Sequence, residues 1–306
     1  MMPVAALDCG TNSTRLLVLD DDGRTLERRM VITRLGQGVD ATGILRGDAI
    51  ERTLEVLRGY REVMEHHGVA AARLAATSAA RDASNGTAFL EAASAASGVR
   101  AELLSGEEEG RLSFSGATSD FAGPLDKVVV VDIGGGSTEL VTCDDDEVAA
   151  HSMQVGCVRV TERAMPGDPP TREQLDAAAS MVDEAIDRAF EQLSSLAVPD
   201  SERQVLGLAG TVSTLAMVDL GLADYDEEKV HHHWLSIEAI RSLRDALAAE
   251  TVEDRRRRPG MVPGREDVIV AGAVVLERVV VRLGATGCLT SEHDILDGLA
   301  QSVLAR

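Results

Sequence analysis

The spacing of apolar residues predicts alternating helices and strands along this chain. Over residues 48–67, apolar side chains recur every three or four positions, which is the period of a helix with one buried face, and Gly68 is placed to end it. Residues 171–174, Thr-Arg-Glu-Gln, have the spacing of a capping box and predict a second long helix that ends near Leu196. A strand over 205–209 and a helix over 211–220 are also predicted.

The strongest signal within the sequence is a repeat. When the chain is shifted by 124 positions, residues 8–22 align with residues 132–146, and eight of the fifteen positions are identical. Each copy predicts a strand, a turn of Gly, Ser and Thr, a second strand and an acidic turn, which together form a β-hairpin. A repeat this long is not typical of a solenoid and indicates two related domains. We expect the domains to span 1–124 and 125–306, with Pro124 at the boundary.

The composition excludes several functional classes. The chain has 30 basic and 51 acidic residues, a net charge of −21, and only one Trp, two Tyr and four Phe. Neither broad electrostatic binding of nucleic acid nor stacking on single-stranded bases fits that composition, and an anionic membrane surface is equally unfavourable. The apolar stretch 268–283 is interrupted by charges, and the four cysteines lack a Cys-x-x-Cys spacing. With no basic signal region at the start, we expect a cytoplasmic protein.

The glycine turns of the repeat are predicted to bind phosphate. Glycines let the backbone approach an anion closely, and successive N–H groups of such a turn form an anion-binding concavity. Neither copy is a Walker A loop, and a plain glycine-rich hairpin is the alternative for either copy alone. A third glycine turn opens the helix predicted at 211–220. The predicted phosphate-binding residues of the three turns are Gly10, Thr11, Asn12, Ser13, Gly134, Gly135, Gly136, Ser137, Thr138, Gly210 and Thr211.

A carboxylate precedes each of the two repeated turns. Asp8 and Asp132 occupy matching positions, whereas Arg15 of the first copy corresponds to Glu139 of the second. A purely structural device would not need that difference, and Mg²⁺ favours one or two carboxylates together with water. We therefore predict that Asp132 and Glu139 hold Mg²⁺ or align water, with Asp8 as a further metal ligand.

Six segments together resemble the exopolyphosphatase/guanosine pentaphosphate phosphohydrolase family, within the superfamily of sugar kinases, heat-shock ATPases and actin. They are residues 6–14, 76–85, 105–112, 131–139, 263–267 and 291–298, and the resemblance covers nearly the whole chain. It implies an α/β fold of two actin-like (ribonuclease H-like) domains with a cleft between them, and a terminal helix at about 294–306 that packs back on the first domain. It also implies Mg²⁺ as cofactor, polyphosphate or guanosine pentaphosphate as substrate, and a homodimer.

The resemblance also implies roles for three residues of the N-terminal half. The counterpart of Glu109 activates the attacking water, and Arg81 and Asn85 contact the substrate phosphate. The local sequence agrees for Glu109, because Ser105 and Glu108 have capping-box spacing and Glu107 suits the helix dipole, which leaves Glu109 without a local task. Glu108 is the runner-up, since a one-residue shift of the alignment exchanges the two. The alternatives are that Glu109 is a solvated surface charge and that Arg81 forms a structural ion pair.

The expected activity is Mg²⁺-dependent hydrolysis of the terminal phosphoanhydride bond of inorganic polyphosphate. A guanosine pentaphosphate 5′-phosphohydrolase, an ATP-dependent small-molecule kinase and a non-catalytic polyphosphate sensor stay open as alternatives. The arginines at 255–258, together with Arg265, are either a track for a phosphate chain or a basic turn balanced by neighbouring acids. The histidines at 231–233 lack metal-ligand spacing and are predicted to form a loop before a helix capped by Ser236.

Overall fold

The computed structural model describes residues 2–144 and 147–305. The chain divides into two compact units, Met1–Ser119 with His293–Arg306 and Asp120–Glu292. The last two aspartates of the second repeat copy, Asp145 and Asp146, lie outside the described residues. Each unit contains one copy of the repeated hairpin.

The first unit is built on a five-stranded sheet in the order β3-β2-β1-β4-β5. The β1–β2 and β2–β3 pairs are antiparallel, and the β1–β4 and β4–β5 pairs are parallel. Its strands are β1 (Val4–Cys9), β2 (Ser13–Leu19), β3 (Thr25–Ile32), β4 (Ala71–Ala76) and β5 (Ala101–Leu103). Its first helices are α1 (Val39–Thr42), α2 (Gly47–His66), α3 (Ser78–Asp82), α4 (Gly86–Ser97) and α5 (Gly106–Ala117).

The second unit is built on a six-stranded sheet in the order β10-β11-β9-β6-β7-β8. Its strands are β6 (Val128–Ile133), β7 (Thr138–Asp144), β8 (Glu147–Met153), β9 (Gln204–Leu208), β10 (Trp234–Ser236) and β11 (Gly287–Thr290). Its helices are α6 (Cys157–Ala164), α7 (Arg172–Gln192), α8 (Ala209–Leu220), α9 (Glu227–Val230), α10 (Ile237–Ala248), α11 (Val252–Arg256) and α12 (Ile269–Leu283). Short 3₁₀ turns lie at Leu125–Lys127 and Ser194–Leu196.

The two sheets share one plan. In each, an antiparallel meander of three strands (β1–β3 or β6–β8) continues through its first strand into parallel strands, β4 and β5 in one unit and β9 and β11 in the other. This is the strand order of the actin-like (ribonuclease H-like) fold, so the predicted α/β class with two such domains is confirmed. The cleft expected between the domains stays a prediction.

Both faces of the first sheet are covered by helices. Alternate residues of β1 belong to two separate hydrophobic clusters, Ala5 and Leu7 on one face and Val4 and Ala6 on the other. The second face is covered by the last helix, α13 (Ile295–Leu304), which packs on α5 and β1. A strand buried on both faces needs a nearly continuous apolar sequence, and β1 has one.

Two glycines bring α13 and α5 into close contact. A Cβ atom on Gly116 would lie 2.0 Å from the carbonyl oxygen of Asp294, and one on Gly298 would lie 2.1 Å from that of Leu112. Small residues at such a crossing let the two backbones approach each other. The close packing fixes α5, which carries Glu109, against the end of the chain.

The predicted helices agree closely with the structure. The helix expected over 48–67 spans Gly47–His66, and Gly68 follows it with a positive φ of 65°. The capping box at Thr171 is present with both of its hydrogen bonds, although α7 ends at Gln192 and the next residues form a 3₁₀ turn. In the part of the chain that the structure describes, no helix combines the length and the apolar character needed to cross a bilayer.

Candidate phosphate-binding and catalytic site

The turn of the first hairpin is closed by one hydrogen bond and leaves two backbone N–H groups unused among the described residues. The hairpin closes with a hydrogen bond from the N–H of Gly10 to the carbonyl of Ser13, at 2.9 Å. Among the described residues, the N–H groups of Thr11 and Asn12 have no hydrogen-bond acceptor, and the Asn12 side-chain Nδ2 is buried without a partner. The Thr11 hydroxyl shares a hydrogen bond of 2.8 Å with the hydroxyl of Ser78. The turn therefore presents N–H donors whose hydrogen-bonding capacity is unused.

The second hairpin turn has the same closure and a fixed backbone. The N–H of Gly134 donates to the carbonyl of Ser137 at 3.0 Å, and the first three N–H groups of α6 donate to the carbonyls of Gly134 and Gly135. Arg159 also donates from Nε to the carbonyl of Gly136 at 2.7 Å. These hydrogen bonds fix the carbonyl groups of the turn. The N–H groups of Gly135, Gly136 and Ser137 have no acceptor among the described residues. This arrangement suits an anion.

The third turn lies against a buried arginine. Ala209 has a φ of +65° and leads into Gly210, where a Cβ atom would lie 1.8 Å from Nη2 of Arg265. The charge of Arg265 also acts on the Cys157 thiol, whose pKa is raised by burial and partly lowered by that guanidinium. A buried cation therefore lies beside the start of α8, where the helix N–H groups favour an anion.

The carboxylates of the second unit face each other across its hairpin. Asp132 of β6 lies directly opposite Glu139 of β7, and both are buried. The Ser152 hydroxyl donates to Oε1 of Glu139 at 2.6 Å, which orients that carboxylate. Two opposed carboxylates on one face of a ladder are a suitable ligand pair for Mg²⁺.

The matching position of the first unit holds an ion pair. Asp8 lies opposite Arg15, which donates from Nε and Nη2 to Oδ2 of Asp8 at 3.0 and 2.8 Å. Arg15 also binds the carboxylate of Asp294 at the start of α13. The second oxygen of Asp8, Oδ1, is buried and has no hydrogen-bond partner among the described residues. Arg15 therefore supplies the positive charge that a metal would otherwise supply here.

The two carboxyls that share Arg15 differ in pKa. Burial raises the pKa of Asp8 although Arg15 acts in the opposite direction. Burial also acts to raise the pKa of Asp294, but attraction to Arg15 and Arg28 and the N–H of Leu296 hold it below its usual range. The difference follows from the number of partners, because Asp294 has two arginines and Asp8 has one.

Glu109 lies next to Arg81 within the first unit. Glu109 is on the first turn of α5 and is 8% exposed, and Arg81 is on the last turn of α3. Arg81 Nη1 donates to the carbonyl of Leu104 at 2.8 Å and lies 3.4 Å from Oε2 of Glu109. Nη2 of Arg81 is buried without a hydrogen-bond partner among the described residues. The structure thus brings together the two residues expected to act on water and phosphate.

Residues 18–305 match the model of the Ppx/GppA phosphatase family. The chain belongs to this family. It is 39% identical to Exopolyphosphatase 2 of Mycobacterium tuberculosis over 98% of both chains. It is also 30% identical to the guanosine-5′-triphosphate,3′-diphosphate pyrophosphatase of Photobacterium profundum, over 82% of this chain and 49% of that protein.

A solved structure in the family agrees over the whole chain. The crystal structure of an exopolyphosphatase-like protein superposes with a TM-score of 0.92, at 38% sequence identity and 98% coverage of both chains. The resemblance inferred from the six sequence segments is therefore confirmed.

The neighbours of Glu109 have contacts that differ from those expected. Ser105 caps α5 as predicted, since its hydroxyl accepts from the N–H of Glu108. The prediction that the Glu108 side chain closes a capping box was wrong, because its carboxylate lies 3.4 Å from Arg73 at the surface. Glu107 pairs with Arg111 one turn later, at 2.7 Å. Of the three glutamates, only Glu109 is buried.

Two of the predicted phosphate ligands use their side chains within the fold. The Asn85 amide accepts from the N–H of Leu45 and donates to its carbonyl, both at 2.9 Å. The Thr138 hydroxyl donates to the carbonyl of Val155. Both side chains hold neighbouring backbone segments in place, and their contact with phosphate stays a prediction of the family resemblance.

The run of four arginines is balanced by carboxylates. Arg255 is buried and binds Asp168, Arg256 binds Glu266, and Arg258 binds Glu250. Arg257, the most exposed of the four, pairs with Glu253 and Asp254. These ion pairs favour the basic turn over the phosphate track.

The histidine run forms the predicted loop, which connects α9 to β10. His231 bonds Asp120 at 2.7 Å, and His233 bonds Asp219 at 2.8 Å. Trp234–Ser236 then form β10, an element that the sequence did not predict, and Ser236 caps α10 as expected.

Arg265 was not identified as a site residue from sequence. It lies in the family segment 263–267 but was grouped with the arginine run, because its distance in sequence from Gly210 gives no sign of their contact. The sequence signal that could have identified Arg265 was its position in a segment that matches the family pattern.

Proposed function

We propose that this protein hydrolyses the terminal phosphoanhydride bond of inorganic polyphosphate and releases orthophosphate with the help of Mg²⁺. The observation that carries the proposal is the pair of hairpin turns with matching closure, whose N–H groups lack acceptors among the described residues. Such turns bind phosphoryl groups through the backbone, which suits a substrate made of one repeated phosphate unit.

Three features supply the positive potential that an acidic protein needs for a polyanion. The N–H groups of Thr11 and Asn12 in one unit and of Gly135 and Gly136 in the other offer directed donors. Arg265 adds a buried guanidinium beside Gly210. Because the charge is local, binding does not require a basic surface, which the net charge of −21 does not provide.

The residues of the second unit fit a magnesium ion. Asp132 and Glu139 are opposed, buried carboxylates, and Ser152 orients one of them. A bound Mg²⁺ at that pair supplies charge neutralisation for the phosphoryl oxygens. Asp8 is a weaker candidate, because Arg15 already holds one of its oxygens.

Glu109 is the proposed general base. It removes a proton from a water molecule whose oxygen attacks the terminal phosphorus. The bond from that phosphorus to the bridging oxygen breaks, and the electron pair leaves with the shortened chain. Arg81, whose Nη2 has no partner among the described residues, donates to the equatorial oxygens as charge develops there. General-base assistance of this kind contributes about 10²- to 10⁴-fold in rate.

Guanosine pentaphosphate is the second candidate substrate. The relative from Photobacterium profundum carries that activity in its name and is 30% identical over 82% of this chain. The same residues would cleave the terminal phosphate of the 5′ chain. The greater identity to Exopolyphosphatase 2, at 39% over the whole chain, favours polyphosphate.

The test is orthophosphate release with Mg²⁺ from short polyphosphate, long polyphosphate, guanosine pentaphosphate and ATP in parallel. We expect release from polyphosphate, a loss of about 10²-fold or more in Glu109→Gln, and little change in Glu108→Gln. The second variant is a matched control, because it makes the same chemical change on the neighbouring, exposed residue. Polyphosphate binding and the circular-dichroism spectrum should be retained in both.

Each other outcome selects a different function. Faster release from guanosine pentaphosphate would make that compound the substrate. Phosphoryl transfer from ATP to an acceptor, without hydrolysis of polyphosphate, would indicate a kinase. Tight binding of polyphosphate with no release would indicate a sensor. Full activity of Glu109→Gln would remove Glu109 from the mechanism.

A further inference from the structure

Three consecutive carbonyl groups of the second hairpin turn are held by the start of α6. The carbonyls of Gly134 and Gly135 accept from backbone N–H groups at the first residues of this helix, at 2.9 to 3.1 Å. The carbonyl of Gly136 accepts from a side chain instead, the Nε of Arg159, at 2.7 Å. All three carbonyls are therefore directed toward α6, and the last one depends on a single arginine.

These contacts also set the direction of the N–H groups of the turn. The peptide bonds here are trans, and in a planar trans peptide group the carbonyl and the N–H point to opposite sides. The N–H groups of Gly135, Gly136 and Ser137 each belong to the same peptide group as the carbonyl one residue earlier. Because those carbonyls face α6, the three N–H groups are directed away from it, and none has an acceptor among the described residues.

Arg159 acts on the last of these three donors. The carbonyl that it binds, that of Gly136, shares a peptide group with the N–H of Ser137. A hydrogen bond to a carbonyl polarises the peptide group and makes its N–H a stronger donor, and a charged partner does so more than a neutral one. Ser137 is only 2% exposed, and a backbone N–H in such a place ordinarily has a partner. The Ser137 N–H is thus both oriented and strengthened for an anion.

The corresponding carbonyl of the first turn is held by backbone groups. Asn12 aligns with Gly136 in the repeat, and its carbonyl accepts from the N–H groups of Thr33 and Arg34 at 3.1 and 2.9 Å. A side-chain substitution does not remove a backbone N–H, whereas it does remove the contact that Arg159 makes. A change at Arg159 therefore alters one phosphate turn and leaves the contacts of the other in place.

We propose that Arg159 is a positioning residue for phosphate binding at the second turn, acting through the Gly136–Ser137 peptide group without touching the substrate. This role rests on the proposed function, because it requires that the turn binds a phosphoryl group. Arg159 is 9% exposed, and a guanidinium shielded from water polarises a neighbouring peptide group more strongly than one in solvent.

Binding of tripolyphosphate without Mg²⁺, measured by calorimetric titration, tests this role separately from catalysis. Arg159→Gln removes the charge, and we expect the dissociation constant to rise about tenfold, which is the size of effect that a charged hydrogen bond has. Arg159→Lys keeps the charge and should bind within about threefold of the wild type. The control is Arg163→Gln, the same change at an exposed arginine in the last turn of α6, which should leave the affinity unchanged.

The amide resonance of Ser137 is a readout that a general loss of packing would not move by itself. In Arg159→Gln without ligand, the amide chemical shift of Ser137 should change, because the carbonyl of its peptide group loses a charged donor. The amide of Gly135 should change little, since the carbonyl of its peptide group accepts from the backbone of α6. Urea unfolding of each variant checks that the fold is retained.

The outcomes separate this role from the proposed function. Unchanged affinity in Arg159→Gln would overturn the role, and so would equal losses in the Gln and Lys variants with equal shifts at Gly135 and Ser137. A wild-type chain that does not bind tripolyphosphate would overturn it as well, whatever the hydrolysis assay shows. Arg159-dependent binding by a chain that releases no orthophosphate from polyphosphate would support the role and contradict the proposed function.

Discussion

Asp132 lies directly opposite Glu139 in the ladder between β6 and β7, at the register that joins Asp8 to Arg15 in the first unit. The same backbone geometry therefore carries two carboxylates in one unit and an ion pair in the other. This exchange of charge is the reason for proposing a cation at the second hairpin and not at the first. The sequence repeat showed that Arg15 corresponds to Glu139. The strand register shows that each of these residues lies opposite an aspartate.

Removing one of the opposed carboxylates should weaken metal binding. We expect Glu139→Gln to lower the affinity for Mg²⁺ by about tenfold or more, because a neutral amide is a poorer ligand for a hard cation. Calorimetric titration with Mg²⁺ in the absence of substrate measures this directly. The control is Glu147→Gln on β8, an exposed glutamate of the same sheet. Equal affinity in the two variants would remove Glu139 from the metal site.

The backbone of the second turn should tolerate no side chain at Gly156. A Cβ atom there would lie 2.5 Å from the carbonyl carbon and oxygen of Gly135. We expect Gly156→Ala to lower the free energy of unfolding by about 1–3 kcal/mol through overpacking and to raise KM by moving the turn.

The matched control for that substitution is Gly59→Ala. Gly59 lies within α2, and its added Cβ would meet nothing within 4 Å. Alanine at such a helical position should stabilise the protein by about 0.5–1 kcal/mol. Urea unfolding of both variants checks the two signs, and a stabilised Gly156→Ala would contradict the packing argument.

The arginine run and Arg81 should respond differently to loss of charge. Arg257→Gln is expected to leave KM for polyphosphate within about twofold, because its charge is already balanced by Glu253 and Asp254 at the surface. Arg81→Gln should lower kcat/KM by about tenfold or more, since it removes the charged donor that we propose for the phosphate. Steady-state kinetics at one fixed salt concentration compares them. A large rise in KM for Arg257→Gln would instead support the interpretation of the arginine run as a track for a phosphate chain.

The ion pair at Asp294 should make stability depend on pH. Its native pKa is lowered by Arg15 and Arg28, so its contribution is fully present above the unfolded value of about 3.9 and is lost as the pH falls through the native value. Asp294→Asn should cost about 1–3 kcal/mol at pH 7, where the charged hydrogen bonds are lost. Urea unfolding should show this difference shrinking as the pH is lowered below about 4. A difference that is constant with pH would assign the loss to packing.

Local features of the site were predictable because their causes are local. The strand–turn–strand copies, the N-cap at Ser105 and the capping box at Thr171 each depend on residues within a few positions of one another. Dihedral preferences and short hydrogen bonds decide such features, so the sequence pattern is sufficient. The exception is Glu108, which binds the distant Arg73 and leaves the capping box half-formed.

The sequence alone determined the duplicated α/β plan, the family and the position of the two glycine-rich hairpin turns. Tertiary structure decided which charges meet: Arg15 neutralises Asp8, Arg81 adjoins Glu109, and Arg265 packs on Gly210. These partners are separated by between 7 and 55 positions along the chain, and no local preference brings them together. Electrostatic interactions depend on distance in space and on burial, which the folded chain alone sets.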